Sequence, residues 1–257
     1  MKRIALVTGA SSGIGREIVK EIDRIYADID EVWIISRRAD RLNELAQQLI
    51  VHTKVFPIDL TDPESIEMLK NTLEADKPYI QLLVNAAGYG KYGKIGSLPL
   101  DEETGMIRLN CEALTAITSL SLPYIPVGGR IVLVASSAAF APQPLFGIYA
   151  ATKAYVLSYS RALNEELRPR KIAVTAVCPG PVATEFLGIA GPSNKGWFMD
   201  KLPKSSPEKE AEHALRDSRQ GKPVSTYGPF ASSFRIISKV LPVFILLAAT
   251  RSFLKEK

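Results

Sequence analysis

The stretch Ile4-Ala5-Leu6-Val7-Thr8-Gly9-Ala10-Ser11-Ser12-Gly13-Ile14-Gly15 decides the fold. The short apolar run Ile4–Val7 reads as a strand buried on both faces. Glycines after it permit positive φ and let the backbone approach a phosphate closely. The amphipathic pattern Gly13–Ile25 then opens a helix, whose free N–H groups can hold an anion. The spacing is G-x-x-x-G-x-G rather than the commoner G-x-G-x-x-G, but strand, turn and helix stand in the order a pyrophosphate site requires. The same residues also satisfy Gly9-x-Ser11-x-Gly13, the turn that seats the serine of an α/β-hydrolase. Only one strand precedes this turn, and the two histidines, His52 and His213, fall at a helix–strand join and within a helical pattern. The hydrolase reading therefore lacks a base.

Working outward, apolar runs recur at Val32–Ile35, Val55–Ile58, Leu82–Val84, Ile131–Val134 and Ala173–Val177. Helical patterns lie between them at Ala39–Ile50, Pro63–Leu73 and Glu103–Leu122, and a further one starts near Tyr149 and runs to about Leu167. Alternation of this kind predicts an α/β fold: a doubly wound, mostly parallel sheet with helices on both faces, in a single domain. The main body is expected over 1–228, including a substrate lid at about 185–220. There Ser206-Pro207-Glu208 reads as the start of a helix, and a last short strand is expected near Val224–Thr226. An apolar tail follows over 229–257, either part of the same domain or an oligomer contact.

The chain has 257 residues, 46% of them hydrophobic, with a net charge of +5 spread along its length. That suffices for one sizeable core and argues against a nucleic-acid partner. Two cysteines, Cys111 and Cys178, make no disulfide framework, and they and the two histidines have no metal-ligand spacing, so no metal is expected. The start MKRIALVTG runs straight into the fold motif, and a cytoplasmic setting is expected.

At the end of the second strand stand Ile35-Ser36-Arg37-Arg38. A cofactor without a 2′-phosphate usually meets an acidic side chain here. Two arginines instead suit a phosphate dianion, with Arg37 as its ligand and Arg38 assisting; a solvated helix start is the plainer alternative. Further on, Tyr149 and Lys153 are spaced to share a helical face. An ammonium ~6 Å from a phenol at an effective dielectric of ~20 contributes about 3 kcal/mol, roughly two pKa units toward phenolate. Taken alone, such a pair is more often a surface pair.

Together the Thr8–Gly15 turn, Asp59-Leu60, Asn85-Ala86-Ala87-Gly88, Asn110, Ser136, the Tyr149/Lys153 pair and the Cys178–Thr184 segment resemble the short-chain dehydrogenase/reductase family over nearly the full length. The resemblance implies a Rossmann-type fold and an oxidoreductase moving a hydride between NADP(H) and a small carbonyl or alcohol substrate. Tyr149 would be the acid/base and Ser136 would hold the carbonyl oxygen. Lys153 would bind the nicotinamide ribose and lower the tyrosine pKa, while Asn110 would place a relay water. The cofactor would run over Gly9, Ser11, Ser12, Gly13, Ile14 and Gly15. Asp59 and Leu60 would meet the adenine, and Asn85, Ala86 and Gly88 would line the middle. Pro179, Gly180, Val182 and Thr184 would hold the carboxamide. Asn85 is also readable as a brace for the central strands, and Asn110 as a cap on a helix kink. A dinucleotide-binding sensor without catalysis is the rival on the same fold.

Tyr89, Gln143, Phe146, Phe186, Trp197 and Phe198 are the expected substrate contacts, and their apolar character suits a hydrophobic carbonyl compound. The family resemblance also implies a homodimer or homotetramer, formed through the helices carrying Asn110 and Tyr149. In the tail, the uncharged run Val240–Thr250 is too short to span a bilayer and is broken by Pro242. Packing against the body or a second subunit is the favoured reading. Peripheral membrane contact and a disordered tail are the others.

Overall fold

The computed structural model of the chain describes residues 2–191 and 203–254. Seven strands form one sheet: β1 (Arg3–Thr8), β2 (Glu31–Ser36), β3 (His52–Pro57), β4 (Tyr79–Asn85), β5 (Arg130–Val134), β6 (Ala173–Val177) and β7 (Val224–Ser225). Their order is β3-β2-β1-β4-β5-β6-β7, and every neighbouring pair is parallel. The order reverses between β1 and β4, which opens a crevice beyond their carboxyl ends.

Alternation along β1 shows why both faces need cover. Ile4 and Leu6 join one core with Trp33, Leu83 and Ile131, while Ala5 and Val7 join another with Val32, Ile34 and Val84. The first core is closed by α3 (Pro63–Asp76), by α5 (Leu114–Ser121) and by α6 (Gly147–Glu166), through Leu69, Ile117 and Val156. The second is closed by α1 (Gly13–Ile25), α2 (Ala39–Ala46) and α8 (Pro207–Arg219), through Ile18, Leu42 and Leu215.

Several boundaries differ from the sequence reading, each for a local reason. The third strand begins at His52, not Val55, because an edge strand need not be apolar. His52 pairs with Glu31, and Lys54 lies over the Trp33 ring while bonding Asp76. Helix α2 stops at Ala46, short of Ile50. Asp23 draws the N–H groups of Ile50 and Val51 out of any helix, and Ile50 is left exposed. The expected helix Glu103–Leu122 is three pieces: α4 (Leu100–Ile107), a π-helical segment (Arg108–Ala113) and α5. The lid expected over 185–220 extends too far, since its second half is α8, a core helix with Ala211, Ala214 and Leu215 buried.

The short helix α7 (Phe186–Ala190) lies after β6, and the tail forms α9 (Gly228–Val240) and α10 (Val243–Leu254), separated at Leu241-Pro242. Among the described residues, no helix is long and apolar enough to cross a membrane.

Candidate active site

The turn after β1 is shaped by contacts that exclude side chains. Gly9 has φ +70°, and a Cβ there would stand 2.6 Å from the backbone nitrogen of Ala87. Gly13 at φ +56° likewise needs the left-handed region. Thr8 ties the two central strands together: its hydroxyl donates to Asn85 Oδ1 at 3.3 Å and accepts from the Ala86 and Ala87 N–H groups at 3.2 Å each. Asn85 in turn donates to Thr118 Oγ1 at 3.0 Å. Asn85 is thus a buried brace absent from the cavity wall, whereas Ala86 and Gly88 line that wall.

One cavity of about 720 Å³ runs from Ser11–Gly15 past Arg37, Arg38, Asp59 and Leu60 to Ser136, Tyr149, Lys153, and Pro179, Gly180, Val182 and Thr184. At its inner end, burial dominates the electrostatics. Tyr149 is only 6% exposed. Burial pushes its phenol above the ordinary value, partly offset by a hydrogen bond with the Ser136 side chain. Lys153 Nζ donates to the Val134 carbonyl at 2.7 Å and lies 5.7 Å from the Tyr149 ring centre. Burial lowers its pKa to about 8. The expected lowering of the tyrosine is not found in the protein's own groups: desolvation of the phenolate is the largest effect on it and raises its pKa.

Ser136, two residues after β5, caps the 3₁₀ turn Ser137–Phe140, its Oγ accepting the Ala138 N–H at 3.1 Å. The neighbouring Ser137 N–H donates to the Pro179 carbonyl, which fastens this turn to the segment after β6. Asn110, fully buried in the π-helical segment, donates to the Tyr89 carbonyl at 2.9 Å and to Thr152 Oγ1 at 3.0 Å. Its Oδ1 accepts the Tyr89 N–H at 3.0 Å. Both of its N–H donors are thereby committed to positioning the chain, so they are not free to place a relay water. Helix widening at such a segment is a common device for turning one side chain inward.

Aromatic rings close the substrate end. Phe146 stacks between Tyr92 and Tyr149 at 4.2 and 4.3 Å, and Phe186 lies 5.3 Å from Tyr149. Leu145 holds φ +65°, its carbonyl bonded by the Gly93 N–H, and so presents Phe146 from a strained residue. Tyr89, Gln143, Phe146 and Phe186 line the cavity as expected contacts. Trp197 and Phe198 lie outside the described residues.

At the other end the two arginines differ in their partners. Arg37 is largely exposed and stands 3.6 Å from Asp59. Arg38 crosses the turn, donating to Ser11 Oγ at 2.9 Å and Ser12 Oγ at 2.7 Å, and pairs with Glu185 at 2.8 Å. Arg41 joins the same carboxylate. These two cations hold the Glu185 pKa at about 2. Neither histidine shares this site. His52 is at the sheet edge beside Glu31, and His213 on α8 faces Thr226 and Asp217. Ser11 is bonded by an arginine, so the hydrolase reading fails.

The profile of the short chain dehydrogenase family matches residues 3–193. The chain belongs to the short-chain dehydrogenase family. A similar relative is an uncharacterised oxidoreductase of Staphylococcus epidermidis, 33% identical over 185 residues, covering 71% of this chain and 79% of that protein. A short-chain dehydrogenase from Sphingobium yanoikuyae, solved in complex with NADPH, superposes with a TM-score of 0.78 at 29% identity, covering 98% of this chain and 94% of the other. One from Streptomyces avermitilis gives 0.79 at 24% identity, covering 98% and 96%, and supports the fold alone.

One buried carboxylate in this short-chain dehydrogenase was not foreseen from sequence. Glu210, in the first turn of α8, accepts from Ser205 Oγ at 2.6 Å, beneath the loop carrying Val182 and Thr184. Burial raises its pKa to about 7, the Ser205 bond offsetting only part of that rise. The folded state therefore binds an extra proton between about pH 4.5 and 7, and stability falls as pH rises through that window. Glu210→Gln keeps the shape and stays neutral. It is expected to leave stability near pH 5 little changed and to raise it by about 1–3 kcal/mol at pH 8. Urea melts at the two pH values measure this. An equal effect at both would contradict it.

Proposed function

We propose that this protein is an oxidoreductase transferring a hydride between NADP(H) and a carbonyl or alcohol compound of hydrophobic character. The observation that carries the reading is continuity. A single cavity joins the glycine turn to a buried phenol that is hydrogen-bonded to a serine and has a lysine one helical turn away. The turn fits a pyrophosphate, since a Cβ at Gly9 would close the backbone approach between β1 and β4. Arg37 and Arg38 would hold the 2′-phosphate, Ala86 to Gly88 the middle of the dinucleotide, and Lys153 the nicotinamide ribose. When bound, the cofactor supplies or accepts the hydride.

The chain's own residues handle the proton. Tyr149 Oη keeps its proton at neutral pH, because burial disfavours the phenolate. It can pass that proton to a carbonyl oxygen seated against it and against Ser136 Oγ. In the reverse direction it must first lose the proton, so alcohol oxidation should gain from alkaline pH. The aromatic wall of Tyr92, Phe146 and Phe186 excludes water from the oxygen and favours apolar substrates. We further read the protein as a cytoplasmic homodimer or homotetramer, assembled through the helices of Asn110 and Tyr149.

Purified protein, NADPH and a panel of ketones, steroids and acyl derivatives test this by absorbance loss at the nicotinamide band. Turnover supports the reading. Tight NADPH binding without turnover across the panel would favour a sensor instead.

Cofactor choice has its own test. Arg38→Ala removes charge-assisted bonds of about 1.5–3 kcal/mol. It is expected to weaken binding of 2′,5′-ADP by roughly 10–100-fold, measured by calorimetry, with little change for 5′-AMP. Glu185→Gln frees Arg38 and Arg41 from a competing carboxylate and should tighten 2′,5′-ADP a few-fold. Equal effects on both nucleotides would contradict the assignment.

A further inference from the structure

The segment of α9 and α10 is apolar on the side where a surface helix is ordinarily polar. Its inner side is accounted for: Ala231 is buried, Phe230 and Phe234 stack at 5.9 Å, and Phe234 lies 6.2 Å from Phe140 in the turn after Ser136. The outer side is a second apolar stripe. Ile236, Ile237 and Val240 follow one another at helical spacing, and Leu241, Phe244 and Ile245 extend the patch past the Pro242 break. Ile236 is 65% exposed, Val240 73% and Phe244 68%. Scattered exposed apolar residues need no explanation, but a contiguous set of this size marks a contact surface.

Charge decides among the partners. From Ser218 to Lys255 the sequence has no Asp or Glu, while Arg219, Lys222, Arg235, Lys239, Arg251 and Lys255 are all basic. Arg235 and Lys222 have protein partners, Val224 and Asp217, but Lys239 is exposed within the apolar patch. A second copy meeting this surface about a two-fold axis would set the same basic segment against itself, without an acidic residue to answer it. Crossing a bilayer is also ruled out by length, since α10 has 12 residues and no described helix is long and apolar enough. An anionic lipid surface answers both features: acyl chains for the stripe and negative headgroups for the cations.

We infer that the α9–α10 segment docks the protein on the surface of an anionic phospholipid bilayer, with Ile236, Val240 and Phe244 inserted into the headgroup–acyl boundary. The inference does not depend on the catalytic reading, because it concerns a surface outside the cavity.

The test uses the full chain in co-sedimentation with vesicles of phosphatidylcholine containing phosphatidylglycerol, against vesicles of phosphatidylcholine alone. The expected result is at least about tenfold tighter association with the anionic vesicles, weakened by salt. The triple variant Ile236→Ser, Val240→Ser, Phe244→Ser should remain in the supernatant while keeping the wild-type melting temperature and circular dichroism. Lys239→Glu, which leaves the stripe intact, should weaken the anionic preference in the same direction. Wild-type protein left in the supernatant, or equal sedimentation of the triple variant, would overturn the inference. So would a lipid-free protein whose mass in sedimentation equilibrium falls when the triple change is made, which would identify a second copy as the occupant.

Discussion

Tyr149→Phe is expected to lower kcat by about 10²–10⁴-fold, the range a positioned general acid contributes. NADPH affinity should stay within about threefold. The ring would remain stacked on Phe146 and beside Phe186, so only the hydroxyl leaves. Ser136 keeps its bond from the Ala138 N–H, and the local backbone has no reason to move. Steady-state kinetics together with fluorescence titration of NADPH separate the two effects. A parallel loss of cofactor binding would mean the phenol has a structural role instead.

Lys153→Met is expected to abolish turnover and yet stabilise the fold at neutral pH. The lysine has a pKa of about 8 in the folded protein, against an ordinary 10.5, because burial penalises its ammonium. The unfolded chain thus holds more protons between those values, and native stability rises with pH through that window. Below about pH 8 the full penalty applies, about 3 kcal/mol by the size of the shift. Methionine keeps the stem's packing and removes the charge, but forfeits the bond to the Val134 carbonyl, about 1 kcal/mol. The net gain of about 2 kcal/mol corresponds to a rise in Tm of roughly 4–8 °C at pH 7 for a chain of this size. Thermal melts across pH should show that gain shrinking toward pH 10. A lower Tm at pH 7 would refute the assignment of Lys153 as a charge held at a cost for function.

Legibility of the site in the sequence depended on how local each determinant is. The β1 turn was readable because strand, turn and helix spacing fix it over a few residues, whereas Ser136 and the roles of Tyr149 and Lys153 came only with the family resemblance. The family resemblance named Asn85 and Asn110, but their partners, Thr118 and Tyr89, lie 33 and 21 residues away in sequence. No periodicity reveals such bonds. The same holds for Glu185, which reaches Arg38 across 147 residues and makes Arg38, not Arg37, the side chain closest to the turn. The tyrosine's ionisation was misjudged for another reason. The sequence supplies the charge of Lys153 but not the depth of burial, and burial is the largest effect on the phenol. Boundaries slipped where polar residues form structure, as on edge strand β3, or where a remote carboxylate ends a helix, as Asp23 does before Ile50.

The most direct test follows deuterium from the cofactor. NADPH labelled at nicotinamide C4, in each of its two positions in turn, would be incubated with the protein and a ketone it reduces, and the alcohol analysed by mass spectrometry. One of the two labels is expected to reach the carbinol carbon without dilution by solvent, and Tyr149→Phe is expected to slow that transfer by about 10²-fold or more. Label from neither position in the product, or transfer by Tyr149→Phe at the wild-type rate, would contradict it.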